Sequence, residues 1–213
     1  MELNTLDMKK WSSFMMKYKF ALDEINTKLK ILNEEFQILH DHNPIEHIKS
    51  RLKNPQSIKK KLDRKGIELT MENIERHIRD IAGIRVTCSF ITDIYKIHDL
   101  IKNQDDIEVV DVKDYIANPK DNGYESLHLI VKVPVFLTDR TEKVYVEIQI
   151  RTIAMDFWAS LEHKIYYKFQ QDVPDELTSE LKAAAEMVHF LDHKMKDIKE
   201  QMDEYKQTQT SIN

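Results

Sequence analysis

KVYVEIQIR, residues 143–151, decides the fold class. In an extended chain Val144, Val146, Ile148 and Ile150 fall on one side, and Tyr145, Glu147, Gln149 and Arg151 on the other. An apolar row backed by a polar row predicts a strand with one face in a core and the other open. Residues 126–136 alternate in the same way across a polar loop, so the two segments predict an antiparallel hairpin. Further strands are expected at 84–90 and 107–112.

Helical periodicity surrounds these strands. Trp11, Met15, Tyr18, Leu22, Ile25, Leu29, Leu32, Phe36 and Leu39 recur in steps of four and three, which predicts a helix over 7–40. Asn54-Pro55 opens a short basic helix that Gly66 stops. Other helices are expected at 70–80, 92–103, 152–170 and 174–206. The fold class is α+β: a mixed sheet flanked by helices, with long N- and C-terminal helices. A single domain over 1–213 is expected, with its core at about 42–170 and helical extensions at 7–40 and 174–207.

Charged residues make up 32% and apolar residues 41% of the 213, as in a globular protein. Cys88 is the only cysteine, so no internal disulfide forms and a reducing compartment fits. No stretch approaches the run of ~20 apolar residues that spans a bilayer, and MELNTLDMKKWSSF has neither the apolar core nor the cleavage site of a secretory signal. The cytoplasm is the expected location, with no membrane partner.

The net charge of -5 is unevenly spread. Residues 49–65 hold eight basic side chains and Asp63, giving +7 and leaving -12 for the rest. A basic patch on an acidic chain predicts one anionic ligand held at one place, whereas a nucleic-acid binder is more often basic throughout. The three glycines, Gly66, Gly83 and Gly123, form neither a Walker loop nor a dinucleotide-binding loop. Any nucleotide phosphates must therefore be held by side chains.

The basic segment offers such side chains. Ser57, Lys61 and Arg64 share a helix face opposite Ile58 and Leu62, and Arg51 and Lys53 alternate just before it. Asp80 precedes one predicted strand and Glu147 lies on the polar face of another. A carboxylate pair of this kind suits Mg²⁺, which takes one or two carboxylates together with waters and substrate phosphates.

Four segments carry a family resemblance: SRLKNPQSIKKKLDRKG (50–66), IRDIAGIRV (78–86), VKDYIANPKDNGYESLHL (112–129), and EIQIRT (147–152) followed by MDFWASLEH (155–163). In this order they resemble the RelA/SpoT alarmone synthetases. The resemblance implies a nucleotidyltransferase-like mixed sheet that moves pyrophosphate from ATP to the ribose 3′-hydroxyl of GDP or GTP. It implies that Asp80 and Glu147 bind Mg²⁺ and that Glu147 also takes the hydroxyl proton. Arg51 and Arg85 would embrace the adenine, with planes suited to stacking. Lys53, Lys61 and Arg64, assisted by Ser57, would neutralise the ATP phosphates. On the acceptor side, Tyr124 would stack on guanine. Lys120 and His128, with Lys113 nearby, would reach the 5′-phosphates. Glu162 would read the guanine edge, with Gln149 and Asp156 beside it. Asp156 stands where relatives often carry Asn or His, and Glu125, where relatives vary, is given no role.

Two other readings fit less of the pattern. A nucleotidyltransferase acting on RNA ends would need no guanine loop, and an RNA-binding module would leave Asp80 and Glu147 unexplained. The His40-Asp41 and His98-Asp99 pairs match the hydrolase motif of multidomain relatives, but the chain is too short for that domain as well. His189 and His193, four apart on a helix, have the spacing of a zinc-binding pair but no acidic or cysteine ligand set to complete a site, and read as surface or interface histidines. In the last helix Leu177, Leu181, Ala184, Val188, Leu191, Met195, Ile198 and Met202 repeat the four-and-three spacing. Both long stripes are expected to form subunit contacts. The resemblance agrees, implying a homo-oligomer, a tetramer in the small relatives.

Overall fold

The structure, a computed structural model, describes residues 5–169 and 173–210. Its elements are α1 Thr5–Leu39, β1 Ile45–Leu52, α2 Pro55–Asp63, α3 Met71–His77, β2 Ala82–Cys88 and α4 Ile91–Lys102. They continue with β3 Glu108–Asp114, β4 Leu127–Phe136, β5 Thr141–Thr152, α5 Ile153–Lys168 and α6 Asp175–Thr210. The α+β class is as expected. The expected end of the fifth helix at Gln170 lies outside the described residues.

The strands form one sheet in the order β1-β2-β5-β4-β3. β4 and β5 form the expected antiparallel hairpin, and β2 runs parallel to β5. That single parallel pairing makes the sheet mixed. It also carries Gly83 and Arg85 of β2 directly beside Glu147 and Gln149 of β5.

β1 was not foreseen. Its sequence, IEHIKSRL, lacks period two because a bulge between Ile45 and His47 turns both Ile45 and Ile48 toward the core. It is an edge strand with most side chains exposed. β2 also begins earlier than the predicted strand, at Ala82, and Phe90 leaves the sheet to cap α4.

One sheet face is the core. Val144, Val146, Ile148 and Ile150 are buried, as are Ile84, Val86, Leu129 and Val131 on the neighbouring strands. α1 crosses this face over β1, β2, β5 and β4. Its Tyr18, Ala21, Leu22, Ile25, Leu29 and Phe36 are buried there, and Trp11 and Met15 pack against them. This corrects the expectation that the N-terminal stripe is a subunit contact. A helix periodicity says which face is covered but not by what, and burying each such side chain stabilises the domain by about 1.5–3 kcal/mol. α6 is divided: Leu181, Ala184 and Val188 of its stripe pack with Trp158 and Tyr124 of the same chain, which corrects the expectation for that half, whereas Leu191, Met195, Ile198 and Met202, with Met187 and Phe190 beside them, remain exposed. Among the described residues, no helix is long and apolar enough to cross a membrane.

Candidate active site

The opposite sheet face is polar, and strand register arranges its side chains in rows. Lys49, Arg85, Gln149, His128 and Lys113 pair in turn across β1, β2, β5, β4 and β3. The next row runs Arg51, Gly83, Glu147, Ile130 and Asp111. Paired residues share a face, so Glu147 and Gln149 stand at the centre of the sheet, with cations on both flanks. A cleft of about 200 Å³ opens here, lined by Lys49, Arg51, Gly83, Arg85, Glu147 and Gln149. At Gly83 a Cβ would lie 3.8 Å from the Arg51 side chain, in ordinary contact.

Asp80 sits at one end of this face. The β1–β2 ladder continues past the strands through Lys53 N–H to the Ile81 carbonyl at 2.8 Å, which brings Lys53 to Asp80. The helix α2, capped by Asn54 and anchored by buried Ile58 and Leu62, brings Lys61. Both ammonium groups meet Asp80 Oδ2, at 2.7 and 2.8 Å. Burial pushes the Asp80 carboxyl up, but the two lysines outweigh it and hold it below the ordinary carboxylate range. Its other oxygen, Oδ1, is buried without a hydrogen-bond partner among the described residues. An acceptor left over in this way is suited to a cation or a donor brought by a ligand.

Glu147 is held differently. Its Oε2 accepts from Gln149 Nε2 at 2.8 Å, and its Oε1 lies 3.6 Å from His128 Nδ1, beyond hydrogen-bond length. Burial raises the Glu147 carboxyl, yet His128 and Gln149 together bring it below its usual value. It is therefore an anion at neutral pH.

Behind both groups lies Arg151, with a side chain only 3% exposed. Its Nη2 donates to Gln149 Oε1 at 2.6 Å and to the Tyr124 hydroxyl at 2.9 Å. The Tyr124 hydroxyl in turn lies 2.8 Å from His128 Nε2. Two chains of contacts thus run from Arg151 to Glu147, one through Gln149 and one through Tyr124 and His128. Burial pulls the guanidinium below its usual pKa, and Asp156 is its nearest carboxylate, at 3.4 Å.

The loop between β3 and β4 supplies the other flank. Gly123, at φ +82°, turns the chain, and its N–H donates to the Lys120 carbonyl at 2.7 Å. Tyr115, Tyr124 and His128 meet edge to face, and Lys120 Nζ lies 4.6 Å from the centres of both tyrosine rings. Asn122 donates to Glu162 Oε1 at 3.1 Å, drawing α5 to the loop.

The sequence model for the region found in RelA / SpoT proteins matches residues 50–172, more than half of the chain. This protein belongs to the RelA/SpoT family. The GTP pyrophosphokinase YwaC of Bacillus subtilis is 57% identical over 92% of this chain and 93% of its own. The crystal structure of small alarmone synthetase 2 from Bacillus subtilis covers 90% of this chain and 98% of its own, with a TM-score of 0.82 at 56% identity. Small alarmone synthetase 1 from Bacillus subtilis, bound to its product pppGpp, covers 91% of this chain and 98% of its own, with a TM-score of 0.85 at 38% identity.

Within that family frame, the fold brings Asp80, Lys53 and Lys61 to one point, and Glu147, Gln149, His128, Tyr124 and Lys120 to another. Arg51 and Arg85 line the cleft between them. Arg85 is not a free plane, because it pairs with Asp156 at 2.9 Å. Asp156 therefore ties Arg85 to Arg151 rather than standing only on the acceptor side. Ser57 lies half-buried on the first turn of α2, Arg64 is exposed at its C-cap, and Lys113 projects 59% exposed near Asp111. Arg151 was missed as a site residue, although it shares the polar face of β5. Asn122 was missed too, its role as turn residue hiding its contact with Glu162.

Proposed function

We propose that this protein transfers the pyrophosphoryl group of ATP to the ribose 3′-hydroxyl of GDP or GTP, giving ppGpp or pppGpp and AMP. The observation that carries this reading is the Asp80–Glu147 pair on one sheet face, set between the Lys53–Lys61 cluster and the Tyr124–His128 loop. Family membership and the pppGpp-bound relative support it.

The acceptor 3′-oxygen attacks the β-phosphorus of ATP, the bond from that phosphorus to the α-side bridging oxygen breaks, and AMP leaves. Lys53 and Lys61 hold the phosphate charge, and Arg51 and Arg85 hold the adenosine end. Glu147, an anion fixed by Gln149 and His128, takes the proton of the attacking hydroxyl. Tyr124 receives the guanine, Glu162 reads its N–H edge, and Lys120 and His128 take the 5′-phosphates. Such a transfer depends on positioning and charge neutralisation, which fixed cations on both flanks supply. The hard-oxygen donors Asp80 and Glu147, with Asp80 Oδ1 unpartnered, fit Mg²⁺. When bound, Mg²⁺ neutralises phosphate charge and acidifies the hydroxyl. The proposed reaction belongs to the cytoplasm, with ATP and guanine nucleotides as its partners and no nucleic acid.

Tyr124→Ala tests the acceptor assignment. The KM for GDP is expected to rise about tenfold or more, since stacking on one base is worth about 1–3 kcal/mol. The KM for ATP should stay nearly unchanged, and equal rises for both nucleotides would show that Tyr124 does not receive the guanine.

The protein is further proposed to assemble as a homo-oligomer, a tetramer, through α6. The support is the bare apolar stripe formed by Phe190, Leu191, Met195, Ile198 and Met202. Light scattering at micromolar concentration should give a multiple of the 25.3 kDa chain mass. Leu191→Lys should lower that mass, because a charge buried in such a seam stays unsolvated. A wild-type mass near one chain would exclude the assembly.

A further inference from the structure

α6 contributes a carboxylate and an imidazole that the proposed chemistry does not use. Asp192 is buried, and its Oδ2 accepts from Thr152 Oγ1 at 2.7 Å. Thr152 directly follows Arg151 in β5. Three residues before Asp192, His189 Nδ1 meets Glu125 Oε1, again at 2.7 Å. Glu125 directly follows Tyr124, and it is buried, with Oε2 lacking a partner among the described residues. Burial raises the carboxyls of both Glu125 and Asp192, while His189 opposes the shift at both and Thr152 opposes it at Asp192.

Between these two bonds the closest approach is at Gly123, beside a cavity of about 320 Å³ lined by Lys120, Glu125, Lys182 and His189. A Cβ on Gly123 would lie 2.4 Å from Ala185 Cβ of α6. Trp158, whose ring lies 6.5 Å from that of Tyr124, donates Nε1–H to the Leu181 carbonyl of α6 at 2.8 Å. Leu181, Ala185, His189 and Asp192 follow at helical spacing on one face of α6. That face therefore grips the chain on both sides of the Tyr124–Arg151 hydrogen bond.

We infer that α6 clasps the acceptor site, with Glu125, His189, Thr152 and Asp192 as positioning residues that set Tyr124 and Arg151. Acceptor affinity is then fixed partly by a helix that lies outside the sheet face carrying Glu147 and Gln149. This rests on the proposed reading of Tyr124 as the guanine contact. A charge-assisted bond beside a substrate residue fixes its backbone more tightly than apolar packing does. His189 thus has an acidic partner from a loop distant in sequence.

The test compares full-length wild type with His189→Ala, His189→Asn and Tyr124→Ala, measuring kcat and the KM values for GDP and ATP. The side chain of His189 is 46% exposed, so its truncation is compatible with folding. Loss of its charge-assisted bond should raise the KM for GDP about tenfold in His189→Ala and leave that for ATP within about twofold. His189→Asn, whose amide reaches the position of Nδ1, should recover most of the loss. An unchanged KM for GDP in His189→Ala, equal rises for both nucleotides, or an Asn variant no better than Ala would overturn the clasp. A rise in Tyr124→Ala alone overturns the clasp and spares the acceptor assignment; no rise in Tyr124→Ala overturns both. If His189→Ala melts below the assay temperature, Glu125→Gln, which keeps shape and removes the charge from the same bond, carries the comparison: a rise in the KM for GDP alone supports the clasp, and no rise or equal rises overturn it.

Discussion

Glu147→Gln is expected to fold, to bind both nucleotides, and to turn over about a thousandfold more slowly than wild type. Glutamine keeps the length and planarity of the side chain. It can still meet Gln149 and His128, which lie 2.8 and 3.6 Å from the carboxylate. What disappears is the negative charge at the centre of the sheet, and with it both the proton acceptor and the proposed metal ligand. Because His128 and Gln149 hold the ionised carboxyl below its usual range despite burial, loss of the charge should cost some stability at neutral pH. Calorimetric nucleotide binding together with product chromatography checks the two halves of this expectation. Turnover within about tenfold of wild type would assign the base to another residue.

Asp80→Asn is the second large effect, and it differs in kind. Lys53 and Lys61 lie 2.7 and 2.8 Å from one Asp80 oxygen. Asparagine keeps an oxygen there but leaves two ammonium groups on a neutral partner. The variant should lose about 10²–10³ in kcat/KM for ATP, as when a preorganised charge is removed from a phosphoryl-transfer site. It should also lose about 1–3 kcal/mol of stability at neutral pH, the range for a buried charge-assisted contact. The sign with pH follows from the direction of the shift. The folded carboxyl titrates below its unfolded value near 4, so ionised Asp80 stabilises wild type above about pH 4. That advantage disappears as pH falls through the lower folded value. Melting curves from neutral to acid pH should therefore converge for wild type and variant on acidification. A gap that widens toward low pH would contradict the Asp80–lysine contacts.

The sheet was legible because its central strand is two-sided. Alternation in residues 143–151 separates core from site without ambiguity, and the register then brings Arg85, Gln149 and His128 into one row. The edge strand β1 was not legible, because its bulge breaks the period and its exposed positions need no apolar residues. The two long helices show a different limit. α1 and α6 carry the same four-and-three spacing, yet α1 is buried on the sheet and α6 leaves Phe190 and Leu191 bare. Spacing records that a face is covered, while the covering surface is a property of the whole fold.

The site shows the same division. Asp80, Glu147, Lys53 and Lys61 stand in local patterns whose chemistry can be read from residue type. Arg151 was overlooked although Gln149 lies two residues away on its own strand, because Tyr124, from the loop before β4, comes beside it only in the fold. Glu125 and His189 are 64 positions apart, and no local pattern announces a bond between them. Asp156 likewise pairs with both Arg85 and Arg151, contacts that its place on α5 does not announce in the sequence.

The central claim is that the β,γ-pyrophosphoryl group moves as a unit to a guanosine 3′-hydroxyl. The most direct measurement incubates the protein with GDP, Mg²⁺ and ATP labelled in separate reactions at the α- or γ-phosphorus, then separates the products chromatographically. The γ-label should appear in a new guanosine product carrying two added phosphates, and the α-label in AMP alone. An α-label in the guanosine product would mean nucleotidyl transfer, a γ-label moved with release of ADP would mean simple phosphoryl transfer, and either result would contradict the account.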